Sequence, residues 1–350
     1  MKVNSGELRL SRTVINDVMR SRNAIITRNA VVDPRFSASQ SVTDLQLGSI
    51  MCAPLIARED EILGVLQIDT SDSARPFRQK DLEVLIAVAT QAAIAITVSR
   101  LHEREVRTRT LERDLALAAE MQRNCLPEGR PGIVGYEFFD YYEPAEQIGG
   151  DYFDYIPLAS GRLAVVIGDV VGHGIPAALM MSKVSAETRF FAASLQEPAA
   201  ILKSLNRITC RSNRFGSFVT LAILAIDPAT HEVTVASAGH VPPLLRRNDG
   251  GIELPGRNTF GPPLGTDAET VYHQHNFQLK SQEMLLLYTD GVTEARNAKD
   301  ELFGEERLSA IVSAEATLTS AGARLVHDVA SFLGPVPRED DLCIVCLRRT

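Results

Sequence analysis

The stretch Gly161-Arg-Leu-Ala-Val-Val-Ile-Gly-Asp-Val-Val-Gly-His-Gly-Ile-Pro-Ala-Ala-Leu179 constrains this chain more than any other, because it demands a strand, a turn and a helix in immediate succession. Leu163 to Ile167 is a short, β-branched apolar run and reads as a buried strand. Pro176 suits the first turn of a helix, where no backbone donor is required. Between them, Gly168, Gly172 and Gly174 clear side chains from around Asp169, so backbone carbonyls and a small charged ligand can approach closely. Asp169 therefore stands at a strand's exit in surroundings that suit a metal ion. Aspartate beside glycine is also common in ordinary turns, so this stretch does not decide the matter alone.

Its company does more. Three further acidic stretches lie in the same half of the chain: Ile148-Gly-Gly-Asp151-Tyr-Phe-Asp154, Leu285-Leu-Leu-Tyr-Thr-Asp290-Gly-Val-Thr-Glu294, and Glu339-Asp340-Asp341 before Leu342-Cys-Ile-Val-Cys-Leu347. Each sets a carboxylate at the edge of an apolar strand. The formal net charge of −8 argues against a broad footprint on nucleic acid, whereas clustered acid attracts divalent cations.

At 350 residues, 45% of them hydrophobic, the chain is long enough for about two domains with separate cores. Met1-Lys-Val-Asn-Ser-Gly-Glu7 lacks the apolar core of a signal peptide, and the most apolar window, Leu82 to Val98, carries Glu83, Thr90 and Gln91. The expectation is a soluble cytoplasmic protein with neither a membrane nor a nucleic-acid partner. Cys52, Cys125, Cys210, Cys343 and Cys346 are odd in number and scattered, which suits reduced thiols. Cys343 and Cys346 share the spacing of a zinc or redox pair, but positions three apart on a strand face opposite sides, so core packing is expected.

Along the N-terminal part, Ala24 to Thr27, Ser49 to Ala57 and Ile62 to Asp69 read as strands, the last two forming a hairpin about Arg58 to Glu61. From Lys80 a helix begins, with Leu82, Leu85, Ile86, Ala89, Ala93 and Ile96 on one face. These residues resemble the closing half of a GAF domain, with its opening helix and early strands missing or shortened before Ala24. A GAF-like module at residues 1–100 implies a small-molecule ligand or a partner protein; a dimerisation or docking module is the alternative. With no glycine or proline before Pro127, the helix is expected to run on to Asn124, a rod of roughly 65 Å at about 1.5 Å per residue. Residues 101–125 form its linker, with Leu111, Leu115, Ala118, Gln122 and Cys125 as an interrupted coiled-coil seam, and the rod makes a homodimer the expected state.

Residues 126–350 read as a second domain. Strands are expected at Tyr136 to Tyr142, Leu163 to Ile167, Phe218 to Ile226, Val233 to Ser237, Leu244 to Arg247, Val271 to Gln278, Met284 to Tyr288 and Leu342 to Leu347. Helices are expected at Pro176 to Ala193, Pro198 to Asn213, Glu305 to Ala314 and Ala321 to Phe332. Strands grouped with strands and helices with helices indicate an α+β layered domain.

Here the ordered motifs Ala118-Ala-Glu-Met-Gln-Arg-Asn-Cys-Leu-Pro127, Gly149-Gly-Asp-Tyr-Phe-Asp154, Gly168-Asp-Val-Val-Gly-His-Gly174, Ala238-Gly-His240, Pro263-Leu-Gly265, Thr289-Asp-Gly-Val-Thr-Glu294 and Asp340-Asp341 resemble the metal-dependent PPM (protein phosphatase 2C-like) class, in its bacterial SpoIIE/RsbU branch. The resemblance implies an αββα sandwich with two Mn²⁺ or Mg²⁺ ions at one end. By motif, Asp169 would bridge the ions, Asp151 and the Val170 carbonyl would serve the first, and Asp290 and Asp340 would hold the second. These four aspartates would form the catalytic set. Hard divalent cations take such oxygen ligands.

The chain departs from the family pattern at two places. Asp340-Asp-Leu-Cys343 has a thiol where the family usually has a threonine hydroxyl, and Val171 stands where the eukaryotic branch has a histidine. His173 is expected to be structural within its turn, and His273 and His275 to lie on a solvated strand face. The implied function is hydrolysis of phosphoserine or phosphothreonine on a regulatory protein of the anti-sigma-factor-antagonist type. The alternative is a pseudophosphatase or scaffold that binds phosphoproteins without turnover.

Overall fold

The computed structural model describes residues 12–28, 33–34, 49–57, 61–70, 75–212, 216–315 and 317–350. It divides into two compact units, Met1–Glu112 and Arg113–Thr350.

In the first unit, β1 (Ile25–Thr27), β2 (Ser49–Ile56) and β3 (Ile62–Thr70) form an antiparallel sheet in that order. Alternation along β2 decides what covers each face. Ile50 and Cys52 face α1 (Arg12–Ser21) and pack with Val14 and Val18, while Met51 and Ala53 face the opposite way and pack with Leu82, Leu85 and Ala89 of α2 (Gln79–Arg123). The β2–β3 hairpin is as expected, though residues 58–60 of its turn lie outside the described residues.

An opening helix, α1, is present before Ala24 and spans ten described residues, so of the expectation that it is missing or shortened, its absence is excluded. In α1 the buried stripe is only Val14 and Val18, four residues apart, and both are β-branched, which lowers intrinsic helix propensity. Of the apolar face expected on α2, Leu82, Leu85, Ala89 and Ala93 are buried but Ile86 is exposed. The helix starts where Asp81 Oδ2 accepts the Arg78 N–H at 2.7 Å and runs unbroken to Arg123. It contains a stretch that is, by length and composition only, apolar enough to cross a membrane.

The second unit is built on two antiparallel five-stranded sheets. One has the order β10 (Ile252–Glu253), β9 (Leu244–Arg246), β12 (Met284–Tyr288), β13 (Leu342–Arg349), β4 (Tyr136–Glu143). The other runs β11 (His275–Gln278), β8 (Glu232–Ala238), β7 (Val219–Ile226), β6 (Leu163–Val170), β5 (Tyr152–Pro157). Helices α3 (Ile175–Ala192) and α4 (Pro198–Ser212) cover the second sheet, and α6 (Gly304–Ala314) and α7 (Leu318–Leu333) cover the first; the one-turn α5 (Asp290–Thr293) follows β12.

Period-two alternation again sorts the side chains. Leu285, Leu287, Cys343, Val345 and Leu347 fill the space between the sheets, while Met284, Leu286, Tyr288, Ile344 and Cys346 pack toward α6 and α7. Cys343 and Cys346 therefore lie in different cores, as the strand argument requires.

Besides the short β10 and α5, which were not expected, two elements differ from expectation. Strand β5 is not among the strand ranges expected, although Asp151 is expected at the edge of an apolar strand; Asp154 breaks the apolar run that follows. Its Asp154 is buried but paired, with Arg189 Nε 2.6 Å away and the Tyr152 hydroxyl donating at 2.9 Å. The strand expected over Val271 to Gln278 is confined to His275–Gln278, so His273 lies outside it.

Candidate metal centre

Each of the four predicted aspartates sits at a strand end, and the pairing of strands brings those ends together. Tyr152 pairs with Gly168 across β5 and β6, which sets Asp151 beside the Asp169 end of β6. Tyr288 pairs with Ile344 across β12 and β13, and the Thr289 N–H donates to the Cys343 carbonyl at 3.1 Å, which sets Asp290 beside Asp340 and Asp341. Asp151 is buried, Asp169 and Asp290 are half-buried, and Asp340 is at the rim.

The electrostatics report the convergence. Burial first, then the Asp169 and Asp341 carboxylates, hold the Asp151 carboxyl well above the ordinary range, against a lowering hydrogen bond from Thr289. Asp169 is pushed up to about 7 by burial and then by Asp290, Asp340 and Asp341, while a hydrogen bond from Asp151 works in the other direction. Asp340 is pushed up to about 6, burial again leading. Like charges this close favour protonation or a cation in their midst.

Backbone room around the carboxylates comes from glycines. A Cβ on Gly150 would stand 2.9 Å from the Val170 carbonyl, the oxygen predicted as a ligand. A Cβ on Gly291 would run into the Asp341 carbonyl.

Asp341 and Thr289 are the residues that motif reading passed over as functional. Asp341 is buried and binds backbone: its Oδ1 accepts from Ala145 N–H at 2.8 Å, and its Oδ2 from Gly150 at 2.5 Å and Asp151 at 3.2 Å. The Thr289 hydroxyl donates to Asp151 Oδ2 at 2.7 Å and accepts from the Cys343 N–H at 3.2 Å. Both lie inside the quoted motifs, so their signal was adjacency to an assigned aspartate.

His240 ties the sheets together behind the centre. Its Nε2 donates to the Tyr288 carbonyl at 3.1 Å while Nδ1 takes the Thr220 hydroxyl at 2.8 Å, and burial pushes its pKa down to about 4. His173 is instead exposed, its Nδ1 3.4 Å from Glu146, where a structural place within the turn was expected. Val171 is also exposed, and the Cys343 thiol is buried and held neutral.

Among the described residues, no three His, Cys, Asp or Glu side chains already form a finished ion cage. The donor set nevertheless fits a divalent cation: carboxylates from four segments converge, their neighbours raise the pKa of Asp151, Asp169 and Asp340, and glycines leave the Val170 carbonyl accessible. A cleft of about 130 Å³ opens beside Asp340, lined by Gly291, Glu294, Arg296, Arg338 and Glu339.

Comparison with known proteins bears on the whole chain. Residues 159–350 match the family described as stage II sporulation protein E (SpoIIE), and residues 2–96 match the GAF domain. The chain is 26% identical over 241 residues to the phosphoserine phosphatase RsbU of Bacillus subtilis, covering 68% of this chain and 71% of that one. The solved RsbU and RsbW domains of a Mycobacterium tuberculosis protein are 28% identical with a TM-score of 0.52, over 63% of this chain and 61% of that one. The SiaA-PP2C domain of Pseudomonas aeruginosa shares the fold at 23% identity with a TM-score of 0.61, covering 69% of this chain and 98% of that domain.

Proposed function

The chain belongs to the SpoIIE family, and from that premise we propose that it is a metal-dependent protein serine/threonine phosphatase acting on a phosphorylated regulatory protein of the anti-sigma-factor-antagonist type. The observation that carries this reading is the meeting of Asp151, Asp169, Asp290 and Asp340, from four separated segments, within one another's electrostatic field. Asp151 and Asp169, with the Val170 carbonyl, would hold one Mn²⁺ or Mg²⁺ ion, and Asp290 and Asp340 a second, Asp169 serving both. Bound ions of this kind supply an activated water and offset phosphoryl charge.

The chain's own residues do the rest. Thr289 orients the Asp151 carboxylate, Asp341 fixes the amides of the loop beneath it, and His240, neutral at physiological pH, braces the Tyr288 end of β12. The cleft beside Asp340 carries Arg296 and Arg338, paired with Asp300 and Glu143, alongside Glu294 and Glu339, and would receive the phosphorylated segment next to the metal ions.

In this reading residues 1–100 are the GAF-like regulatory module, 101–125 the linker and 126–350 the phosphatase domain, in a cytoplasmic homodimer. Exposed Val84, Val88, Ile94, Val98 and Leu101 on α2 support self-association through that helix. A small molecule or partner protein at the first unit would regulate the enzyme. The test is Mn²⁺-dependent phosphate release from a phosphoserine peptide and from an aryl phosphate; absence of metal-dependent turnover by the wild type would refute the catalytic reading.

A further inference from the structure

The C-terminal turn of α2 lies against the loop that carries Asp151, and one side chain makes the join. Gln122 is only 7% exposed. Its Nε2 donates to the Gly149 carbonyl at 2.6 Å, and its Oε1 accepts the Gly149 N–H at 3.2 Å. A primary amide set against the N–H and C=O of one residue satisfies both backbone groups at once, as a neighbouring strand would. Gly149 precedes β5 and has no strand partner of its own.

The next two amides are held from a different direction, Gly150 and Asp151 both donating to Asp341 Oδ2. Three consecutive N–H groups, at 149, 150 and 151, are thus each fixed by a side chain. A Cβ on Gly149 would collide with the Asp341 carboxylate and the Tyr142 hydroxyl, so the loop has no slack there. The Gln122 backbone is anchored as well: three residues on, the Cys125 carbonyl accepts from Ser185 Oγ at 3.1 Å and Arg189 Nη2 at 3.0 Å.

We propose that Gln122 is a positioning residue for the metal centre: by gripping both polar groups of Gly149 it sets where the Asp151 carboxylate stands. It touches neither metal nor substrate. The proposal rests on the reading of Asp151 as a metal ligand. Gln122 therefore governs how tightly the ion is held more than how fast the loaded enzyme turns over.

The test uses the full chain. Gln122→Met keeps the length of the side chain and removes both hydrogen bonds; Gln122→Glu keeps the shape but turns an oxygen toward the Gly149 carbonyl. In metal-free protein, hydrogen exchange at 149–151 should accelerate in both variants while the β7 amides stay protected. Mn²⁺ affinity by calorimetry should fall about 10- to 100-fold, with kcat at saturating Mn²⁺ within about twofold of wild type. Exchange and affinity both unchanged would overturn the proposal, and so would equal loss of protection at 149–151 and in β7, which would make Gln122 a general scaffold residue. Faster loop exchange with unchanged Mn²⁺ affinity would also overturn it, provided Asp151→Asn does weaken binding. If Asp151→Asn leaves affinity unchanged while Gln122→Met frees the loop, the assignment of Asp151 fails and the grip on Gly149 stands.

Discussion

The Thr289 hydroxyl donates to Asp151 Oδ2 at 2.7 Å, joining residues 138 apart in the chain and linking the end of one sheet to the start of the edge strand of the other. Because the same oxygen accepts the Cys343 N–H, Thr289 has no spare freedom, and its proton must point at Asp151. A buried carboxylate whose neighbours are acidic is thereby given one fixed donor.

Thr289→Val keeps the shape of the side chain and strands both partners. We expect a loss of about 1 to 3 kcal/mol in urea unfolding of the metal-free protein, since a buried acceptor and a buried N–H go unpaired. An unchanged unfolding midpoint would show that water reaches the pair.

Asp169→Asn should separate activity from stability. Turnover should drop by roughly 10³-fold or more, because the proposed ligand shared between two ions would be lost. The melting temperature in chelator should stay level or rise, because the substitution removes one of several repelling carboxylates. Turnover near wild type in the Mn²⁺ assay would contradict the assignment.

Metal binding should release protons near neutral pH. With Asp169 pushed up to about 7 and Asp340 to about 6, these carboxyls are partly protonated in the metal-free protein at pH 6.5 and must ionise to bind a cation. Calorimetry in buffers of different ionisation enthalpy should show proton release, with Mn²⁺ affinity falling as pH drops from 8 to 6. The sign for stability without metal is opposite. Folded pKa values above the unfolded ones contribute stability that is fully present below about 4 and is lost as pH rises through 6 to 7. Chelated protein should therefore gain from these groups on acidification, and saturating Mn²⁺ should abolish the gain.

His240 acts in the reverse sense. Its folded pKa of about 4 lies below the unfolded value near 6.5, so the folded state is favoured above that range and loses stability as pH falls from 6.5 to 4. The contribution is roughly 3 kcal/mol for a fully buried imidazole. His240→Gln should flatten the acid limb of a stability–pH curve measured with Mn²⁺ present, and a limb of unaltered slope would exclude His240 as its cause.

Much of the architecture was legible along the chain. Short, nearly continuous apolar runs in β7, β12 and β13 marked the strands of a layered domain, and the glycines around Asp169, Asp151 and Asp290 marked carboxylates at their ends. Strand β5 was hidden because Asp154 interrupts its apolar pattern, and its burial is made tolerable by Arg189, 35 residues away, together with the Tyr152 hydroxyl and the Tyr155 N–H. The opening helix was hidden because two buried valines and a sheet face, more than its own composition, hold it.

The amino-acid order alone determined the side chains at hand: four aspartates at strand ends, glycine clearance beside them, and a periodicity that sorts Cys343 and Cys346 to opposite faces. Which partners hold that chemistry in place was decided only by the tertiary structure. Asp341 takes amides 190 and 191 residues away, His240 reaches a carbonyl 48 residues on, and Gln122 closes on Gly149 from the end of a helix. The reason is physical: a strand or helix period repeats over a few residues and leaves a trace in sequence, whereas a hydrogen bond between separate elements depends on where the packed sheets bring their ends, and no local pattern records that.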